Sequence, residues 1–306
     1  MNLMHLRYFC KLAETENYTV ASSELYISQP GLSGAISALE QELGLKLFEK
    51  SGRNIKLTKY GKEFYGYVSD SLKILDNGIS IMHEHSGKLS GNIDIAAITT
   101  IHSNFLPSII NEFRKNFPSI EFRIHQGQTE NIINNLKNEV YDIGFCTYNY
   151  PIPGMKAIPV LTQDTVAIVR SDHPLADKED VLLADIAGYP ILTYSELQLI
   201  GKQYVNMMLE SGLGFRREDI HCEYPNELFL AGTLMQGKNE ETFYKDPVGC
   251  IAMAPYLENF PGISILRIRD VPSDFRIVYM VYNEKKYQTH VTKLFVNYVA
   301  DHYSIY

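Results

Sequence analysis

Residues 17–58, NYTVASSELYISQPGLSGAISALEQELGLKLFEKSGRNIKLT, read as two short helices joined by a tight turn and followed by a β-ribbon. Thr19 is placed to cap a first helix running to about Leu25, and small Ala21 and Ser22 let a neighbouring backbone come close. Tyr26 and Ile27 are expected to fill the turn. Ser28 reads as the N-cap of a second helix, and Pro30 falls in its first turn, where a missing N–H costs nothing. Leu32, Ile36, Leu39 and Leu43 follow at helical spacing, which leaves Ser28, Gln29, Ser33 and Ser37 on a polar face with no core to join. A segment of this design is a winged helix-turn-helix, which lays one helix in the major groove of DNA.

The segment belongs to a longer ordered set: His5-Leu6-Arg7-Tyr8-Phe9, Ser28-Gln29-Pro30-Gly31-Leu32-Ser33, Ile36, Leu39-Glu40, Leu43-Gly44, Leu47-Phe48, and Leu57-Thr58 with Gly61. Farther along stand Ser171-Asp172-His173-Pro174-Leu175-Ala176 and Gly249-Cys250-Ile251-Ala252-Met253-Ala254-Pro255. Over essentially the whole chain these motifs resemble the LysR-type transcriptional regulators. The resemblance implies an α/β protein with an N-terminal winged helix-turn-helix and an effector domain of two α/β lobes resembling periplasmic binding proteins, the chain crossing between the lobes twice. It implies double-stranded operator DNA and a small-molecule effector as partners, a homodimer or homotetramer, and no cofactor.

After the wing, Thr58 can cap a helix on which Phe64, Val68, Leu72, Leu75, Ile79 and Met82 form a heptad-like seam. By resemblance, residues 61–87 are the linker helix that pairs two subunits; packing within one subunit is the other reading of the stripe. Residues 86–91 read as a hinge, and from Asn92 short apolar strands alternate with helices, near 106–116, 130–138, 201–210 and 288–302, which argues for parallel sheets. The resemblance sets the boundaries: 1–60 for DNA binding and 91–306 for effector binding, with lobe one at 91–161 and 267–306 and lobe two at 162–266. Between Asn226 and Gly249 the run AGTLMQGKNEETFYKDPV is longer and more polar than in the resembled family, so contacts made there by relatives do not carry over.

Charge is divided unevenly. The whole chain carries −8, but residues 1–62 hold eight Lys/Arg against six Asp/Glu, so the positive end is the one with the DNA-reading pattern. No basic region leads into an apolar run at the start and no stretch reaches ~18 apolar residues, so no membrane association and a cytoplasmic location are expected. The four cysteines, Cys10, Cys146, Cys222 and Cys250, lack CxxC spacing and read as buried free thiols; a regulatory pair of Cys222 with Cys250 is the alternative. No nucleophile elbow, phosphate loop, HExxH or dinucleotide fingerprint occurs, so neither catalytic residues nor a metal site are expected. Asp164, His173 and Ser195 could be drawn as a triad, but His173 stands directly before Pro174 in a turn where packing explains it. A solute-binding transport protein or an enzyme would leave residues 1–85 unexplained.

For DNA, the candidate contacts are Ser28, Gln29, Pro30, Ser33, Ser37 and Arg53, with Gln29 suited to adenine and Arg53 to a phosphate or a narrow minor groove. Gly34 occupies a position where the resembled family often has a longer polar side chain. For the effector, the candidates follow strands: Thr99, Thr100, His102 and Ser103 after the first, Gln128 and Thr129 after the second, Thr147 after the third, and Thr193, Tyr194 and Ser195 in lobe two. Hydroxyls and amides around helix N-termini suit a small anion, plausibly a carboxylate. Ordinary helix capping by Ser and Thr is the competing account of those positions, and His102 serves equally as a ligand contact or a surface residue.

Overall fold

The computed structural model describes residues 1–51, 54–85, 89–148, 151–236, 244–286 and 288–305. Arg53 and the first half of the expected hinge, residues 86–88, lie outside them, as does the middle of the polar insertion, residues 237–243. The chain divides into two compact units, Met1–Gly87 and Lys88–Lys286 continued by Val291–Tyr306.

The first unit contains α1 (Leu3–Thr15), α2 (Tyr18–Glu24), α3 (Gln29–Leu43), the antiparallel ribbon of β1 (Phe48–Ser51) and β2 (Asn54–Leu57), and α4 (Lys59–His85). Asn17, not Thr19, caps α2, its Oδ1 accepting from the amides of Thr19 (2.9 Å) and Val20 (3.2 Å). Asn17 has the extended backbone a cap requires, and Thr19 lies one turn position inside. Ser28 caps α3, its Oγ accepting from Gly31 N at 3.2 Å, so that hydroxyl is already engaged. Tyr26 does not fill the turn. The turn needs one residue in the left-handed region; Tyr26 takes it, with φ 55°, and stays 95% exposed, while Ile27 packs inward against the core around Phe9, Leu12, Leu32 and Ile36.

The stripe on α4 splits in two. Phe64, Val68 and Leu72 pack into the unit's own core, Phe64 against the ring of Phe9 at 5.3 Å between centroids. Leu75, Ile79 and Met82 are left 41, 44 and 60% exposed. Packing within one subunit therefore accounts for the first half of the seam only. An ion pair of Arg7 with Asp76 fastens α1 to α4 where the change occurs. The helix starts hard against the wing, because a Cβ on Gly61 would come within 2.1 Å of the Leu47 carbonyl oxygen.

Glu40 ties the reading helix to the wing. Its buried carboxylate accepts from the amides of Leu47 (2.8 Å) and Phe48 (3.2 Å) and pairs with Lys46. Glu40→Ala would orphan two buried N–H groups, and we expect a loss of about 2–3 kcal/mol in urea unfolding. Faster hydrogen exchange at Leu47 and Phe48 should accompany it, whereas unchanged exchange there would mean that the ribbon is held by packing alone.

In the second unit β3 (Gly91–Ala97), α5 (Leu106–Asn116), β4 (Ile120–Gln126), α6 (Thr129–Lys137), β5 (Ile143–Thr147) and β6 (Met155–Thr162) begin lobe one. Lobe two follows with β7 (Thr165–Arg170), β8 (Asp180–Val181), α7 (Leu183–Ile186), β9 (Ile191–Tyr194), α8 (Leu199–Glu210), β10 (Ile220–Tyr224), α9 (Glu227–Gln236), β11 (Val248–Ala252) and β12 (Ile263–Ile268). The chain then returns to lobe one as β13 (Ile277–Asn283) and α10 (His290–Tyr303). The sheets have strand orders β4-β3-β5-β13-β6 and β10-β9-β11-β7-β12-β8, each over its own apolar core. They are mixed, not parallel throughout. β13 runs antiparallel to β5 and β6, and β7 antiparallel to β11 and β12, because each enters its lobe from the side where the parallel strands end. The crossings lie at Gln163–Asp164 and at residues 269–276, so β6 runs one residue and β12 two residues past the boundaries set at 161 and 266. Among the described residues no helix is long and apolar enough to cross a membrane.

Candidate functional site

On α3, Leu32, Ile36 and Leu39 face inward and leave Gln29, Pro30, Ser33, Gly34 and Ser37 exposed. A Cβ at Gly34 would meet nothing within 4 Å, so nothing in this unit requires glycine there. Tyr26, three residues ahead of Gln29, is also exposed and was not among the sequence candidates. A left-handed position between two helices is invisible to periodicity when Asn or Gly does not mark it.

The second site lies between the lobes of the α/β unit. Its walls are the ends of β3, β4 and β5 with the start of α6 on one side, and the ends of β9 and β10 with the starts of α8 and α9 on the other. The N-cap positions of α6 and α8 are Gln128 and Gln198, and neither side chain makes a capping bond. By contrast Asn2, Asn17, Ser28 and Asn226 accept from first-turn amides of α1, α2, α3 and α9. Two helices from opposite lobes, neither capped by its own N-cap side chain, thus start at one cleft, where their dipoles favour negative charge. The Leu199 amide of α8 donates across the cleft to Glu130 Oε1 of α6 at 3.2 Å. α8 comes this close because Gly201 lets it lie against the end of β9: a Cβ there would stand 2.1 Å from the Ser195 carbonyl oxygen.

Beneath these helix ends is a buried polar cluster. Arg276 lies just ahead of β13 and is 5% exposed; its Nη1 stands 3.5 Å from Glu227 Oε1 and 3.4 Å from the Tyr194 hydroxyl. Glu227 also accepts from the hydroxyls of Tyr194 and, at 3.1 Å, Tyr256, and the Ala252 amide donates to the Tyr194 oxygen at 3.0 Å. Burial drives the Tyr194 and Tyr256 phenols above their ordinary range, with Glu227 adding to it, so both remain protonated donors. Burial opposes the Arg276 charge, and Tyr194 and Glu227 more than offset it, holding the guanidinium pKa above its ordinary value. Among the described residues the Arg276 Nε–H has no hydrogen-bond partner. Gln163 joins the lobes behind the cluster: its amide donates to the Arg276 carbonyl (2.9 Å), its Nε2 to the Met253 carbonyl (3.2 Å), and its Oε1 accepts from Thr100 Oγ1 (3.2 Å).

Of the effector candidates, Thr99, Thr100, Gln128, Thr129, Thr147 and Tyr194 line this cleft. Four do not. Thr193 is fully buried and donates to the Cys250 carbonyl at 2.8 Å, because the alternation along β9 that brings Tyr194 to the cleft turns its neighbour into the sheet. Ser195 Oγ accepts from Leu197 N at 3.3 Å within a turn. Ser103 turns its hydroxyl back toward the Thr100 carbonyl (3.5 Å), and His102 borders a separate hollow with Leu106 and Phe122. The capping account also fails where it was most natural, since Thr100 caps nothing and Thr129 lies inside α6. Arg276, Glu227, Glu130 and Gln163 escaped the sequence reading; a lone Arg opening the apolar run RIVYMVY was the visible sign of the first.

His173 is spent on the fold: its Nδ1 accepts from Leu175 N at 3.0 Å and its Nε2 meets the Asp246 carbonyl at 3.1 Å. Among the described residues no His, Cys, Asp and Glu group could hold a metal ion.

A helix-turn-helix unit beside a two-lobed α/β unit with a polar cleft defines a class of DNA-binding, ligand-responsive proteins. Residues 3–62 match the model of the bacterial regulatory helix-turn-helix protein, lysR family, and residues 86–226 that of the LysR substrate binding domain. The chain is 31% identical over 216 residues to the transcriptional dual regulator GltC of Bacillus subtilis (strain 168), covering 69% of this chain and 71% of that protein. Two solved structures share the fold. Full-length CbnR complexed with its target DNA is 19% identical, with TM-score 0.65 and coverage of 98% of this chain and 99% of that one. The effector binding domain of QuiR in complex with shikimate is 22% identical, with TM-score 0.60 and coverage of 70% and 97%. The chain belongs to the LysR family of transcriptional regulators.

Cys222, Thr193 and Cys250 lie in one row across β10, β9 and β11, two strand spacings from end to end. At roughly 9–10 Å that is too far for a disulfide. Burial also pushes the thiols of Cys10, Cys146 and Cys250 up to about 12 and that of half-buried Cys222 up to about 11. Alkylation of the native protein at neutral pH should therefore be slow, Cys222 reacting first, and mild oxidant should leave four free thiols by mass spectrometry. A Cys222–Cys250 crosslink would show that the two strands separate.

Proposed function

We propose that this regulator reads operator DNA through α3 and, in the cytoplasm, closes its two lobes on a small metabolite bearing an anionic group, a carboxylate. The observation that carries the reading is the meeting of two helix N-termini not capped by their own N-cap side chains over a buried Arg276 whose Nε–H is unpartnered among the described residues. Thr129 and Thr147, which make no side-chain hydrogen bond among the described residues, would add hydroxyls, with Thr99, Thr100, Gln128 and Tyr194 completing the wall. Guanidinium and first-turn amides together hold a carboxylate through charge-assisted bonds in a site closed to water. A ligand touching both lobes favours their closed arrangement over the open one by its differential affinity. The protein acts by binding, not by catalysis.

A thermal-shift screen of metabolite acids against their neutral amides tests this. The acid that binds should stabilise the protein by about 2.7 kcal/mol at a hundred times its Kd, and its amide should not. Amides that stabilise as well as their acids would remove the anionic group from the reading. Thr129→Val with Thr147→Val should weaken the acid about tenfold and leave DNA affinity intact.

For DNA, Gln29 and Ser33 are the base-reading candidates, Ser28, Pro30 and Ser37 position the helix, and Arg53 is assigned to phosphate from the sequence alone. Gln29→Ala should cost about 1–3 kcal/mol on an operator selected from random DNA and relax preference at one base pair per half-site. Equal affinity with unchanged preference would take base reading away from Gln29. The exposed half of the α4 stripe supports a homodimer, or a homotetramer built from it. Leu75→Asp with Ile79→Asp should give monomers by light scattering while the melting temperature holds, since neither side chain joins the unit's core. A dimer that survives both charges would put the contact elsewhere.

A further inference from the structure

The cleft over Arg276 is small, about 50 Å³, enough for a few water molecules or one compact polar group. It continues into a second cavity of about 410 Å³, with which it shares Thr129, Glu130, Thr147 and Leu199. Beyond the shared residues that cavity is lined by apolar Ile133, Tyr148, Pro151, Ile152 and Pro153 together with polar Asn134 and Lys137, and the Ile152 amide donates to the Tyr148 hydroxyl at 2.6 Å. A ligand whose charged group sits over Arg276 therefore has one roomy direction in which to extend, and that direction is largely apolar.

Charge narrows the choice further. The positive charge of Arg276 is already matched by Glu227, within 3.5 Å. Glu130, on the wall common to both cavities, is exposed and makes no ion pair among the described residues. Its Oε1 takes the Leu199 amide, which leaves the other oxygen available. The cleft lining thus carries one more carboxylate than cation, so a bare anion entering it meets repulsion from Glu130. A cationic group next to the ligand's carboxylate would turn that repulsion into attraction.

Resting on the effector reading above, we propose that the effector is an α-amino acid with an apolar side chain: carboxylate over Arg276 and the ends of α6 and α8, ammonium on Glu130, side chain in the second cavity. The three groups are carried by one carbon atom, and Arg276, Glu130 and the apolar side chains of Ile133 and Ile152 line two cavities that share a wall. Lys137 borders the second cavity only and is not among the residues that line the cleft over Arg276, where Glu130 stands.

The test is calorimetry on the full-length protein with L-leucine, L-phenylalanine, the same two acids without the amine (4-methylpentanoate and 3-phenylpropionate), L-alanine and L-glutamate. Leucine or phenylalanine should bind at least about tenfold tighter than its amine-free counterpart and than alanine. Glu130→Gln, at an exposed position, should abolish the advantage over the amine-free acid, and Ile152→Ser should abolish the advantage over alanine. Amine-free acids binding as tightly as the amino acids would overturn the role of Glu130. Alanine or glutamate binding as tightly as leucine and phenylalanine would overturn the role of the apolar cavity. Silence from all six compounds at millimolar concentration, with stabilisation by neutral metabolites instead, would overturn the carboxylate reading of the cleft itself.

Discussion

A guanidinium buried between two lobes is the constraint around which the effector unit is arranged. Desolvating such a charge costs several kcal/mol unless it is paired and hydrogen-bonded. Arg276 opens the returning strand of lobe one, and every oxygen that compensates it comes from lobe two: Glu227 from the start of α9 and Tyr194 from the end of β9, with Tyr256 steadying Glu227. The pairing is therefore also a joint. Gln163, on the other crossing, adds bonds to the Arg276 and Met253 carbonyls and to Thr100, so both crossings are sewn to each other behind the cleft. Lobe motion can open the rim, but the floor stays assembled wherever the Arg276 charge stays buried.

The rim is built differently. At α1, α2, α3 and α9 the helix start is closed by Asn or Ser, which satisfies one or two first-turn amides. At α6 and α8 the cap positions hold Gln128 and Gln198, whose longer side chains do not fold back onto the first turn, and Gln198 reaches instead to the Pro225 carbonyl at 3.1 Å. Those amides are left to water, to a ligand or to Glu130. A weak capping residue at two helices that meet is thus the trace in local sequence of the proposed site.

How far that trace could be followed from the sequence depended on distance along the chain. The exposed polar face of α3 was legible because Leu32, Ile36 and Leu39 repeat within one helix and leave Gln29, Ser33 and Ser37 by subtraction. Thr129 and Thr147 were legible because strand ends in an α/β sheet gather ligand groups whatever the partners. Thr193 was misjudged because β9 is buried on both faces, and a strand of that kind shows no alternation to say which residue reaches the cleft. The seam of α4 was seen whole, whereas its division depends on Phe9, 55 positions before Phe64 in the chain. Arg276 and Glu227 were missed for the same reason: 49 residues separate them, and nothing local announces that they meet.

Glu130 shows how such long-range pairs set affinity. With its carboxylate on the Leu199 amide, one lobe already offers the other an anion. A ligand carboxylate that takes the same amide gains only the difference between its own contact and the one it displaces, because both are charge-assisted bonds to one donor. A ligand that leaves Glu130 in place, and adds a donor to its second oxygen, keeps the existing bridge and gains its own contacts in full. Selectivity at this cleft then follows less from how many donors it presents than from which of them the protein has already filled.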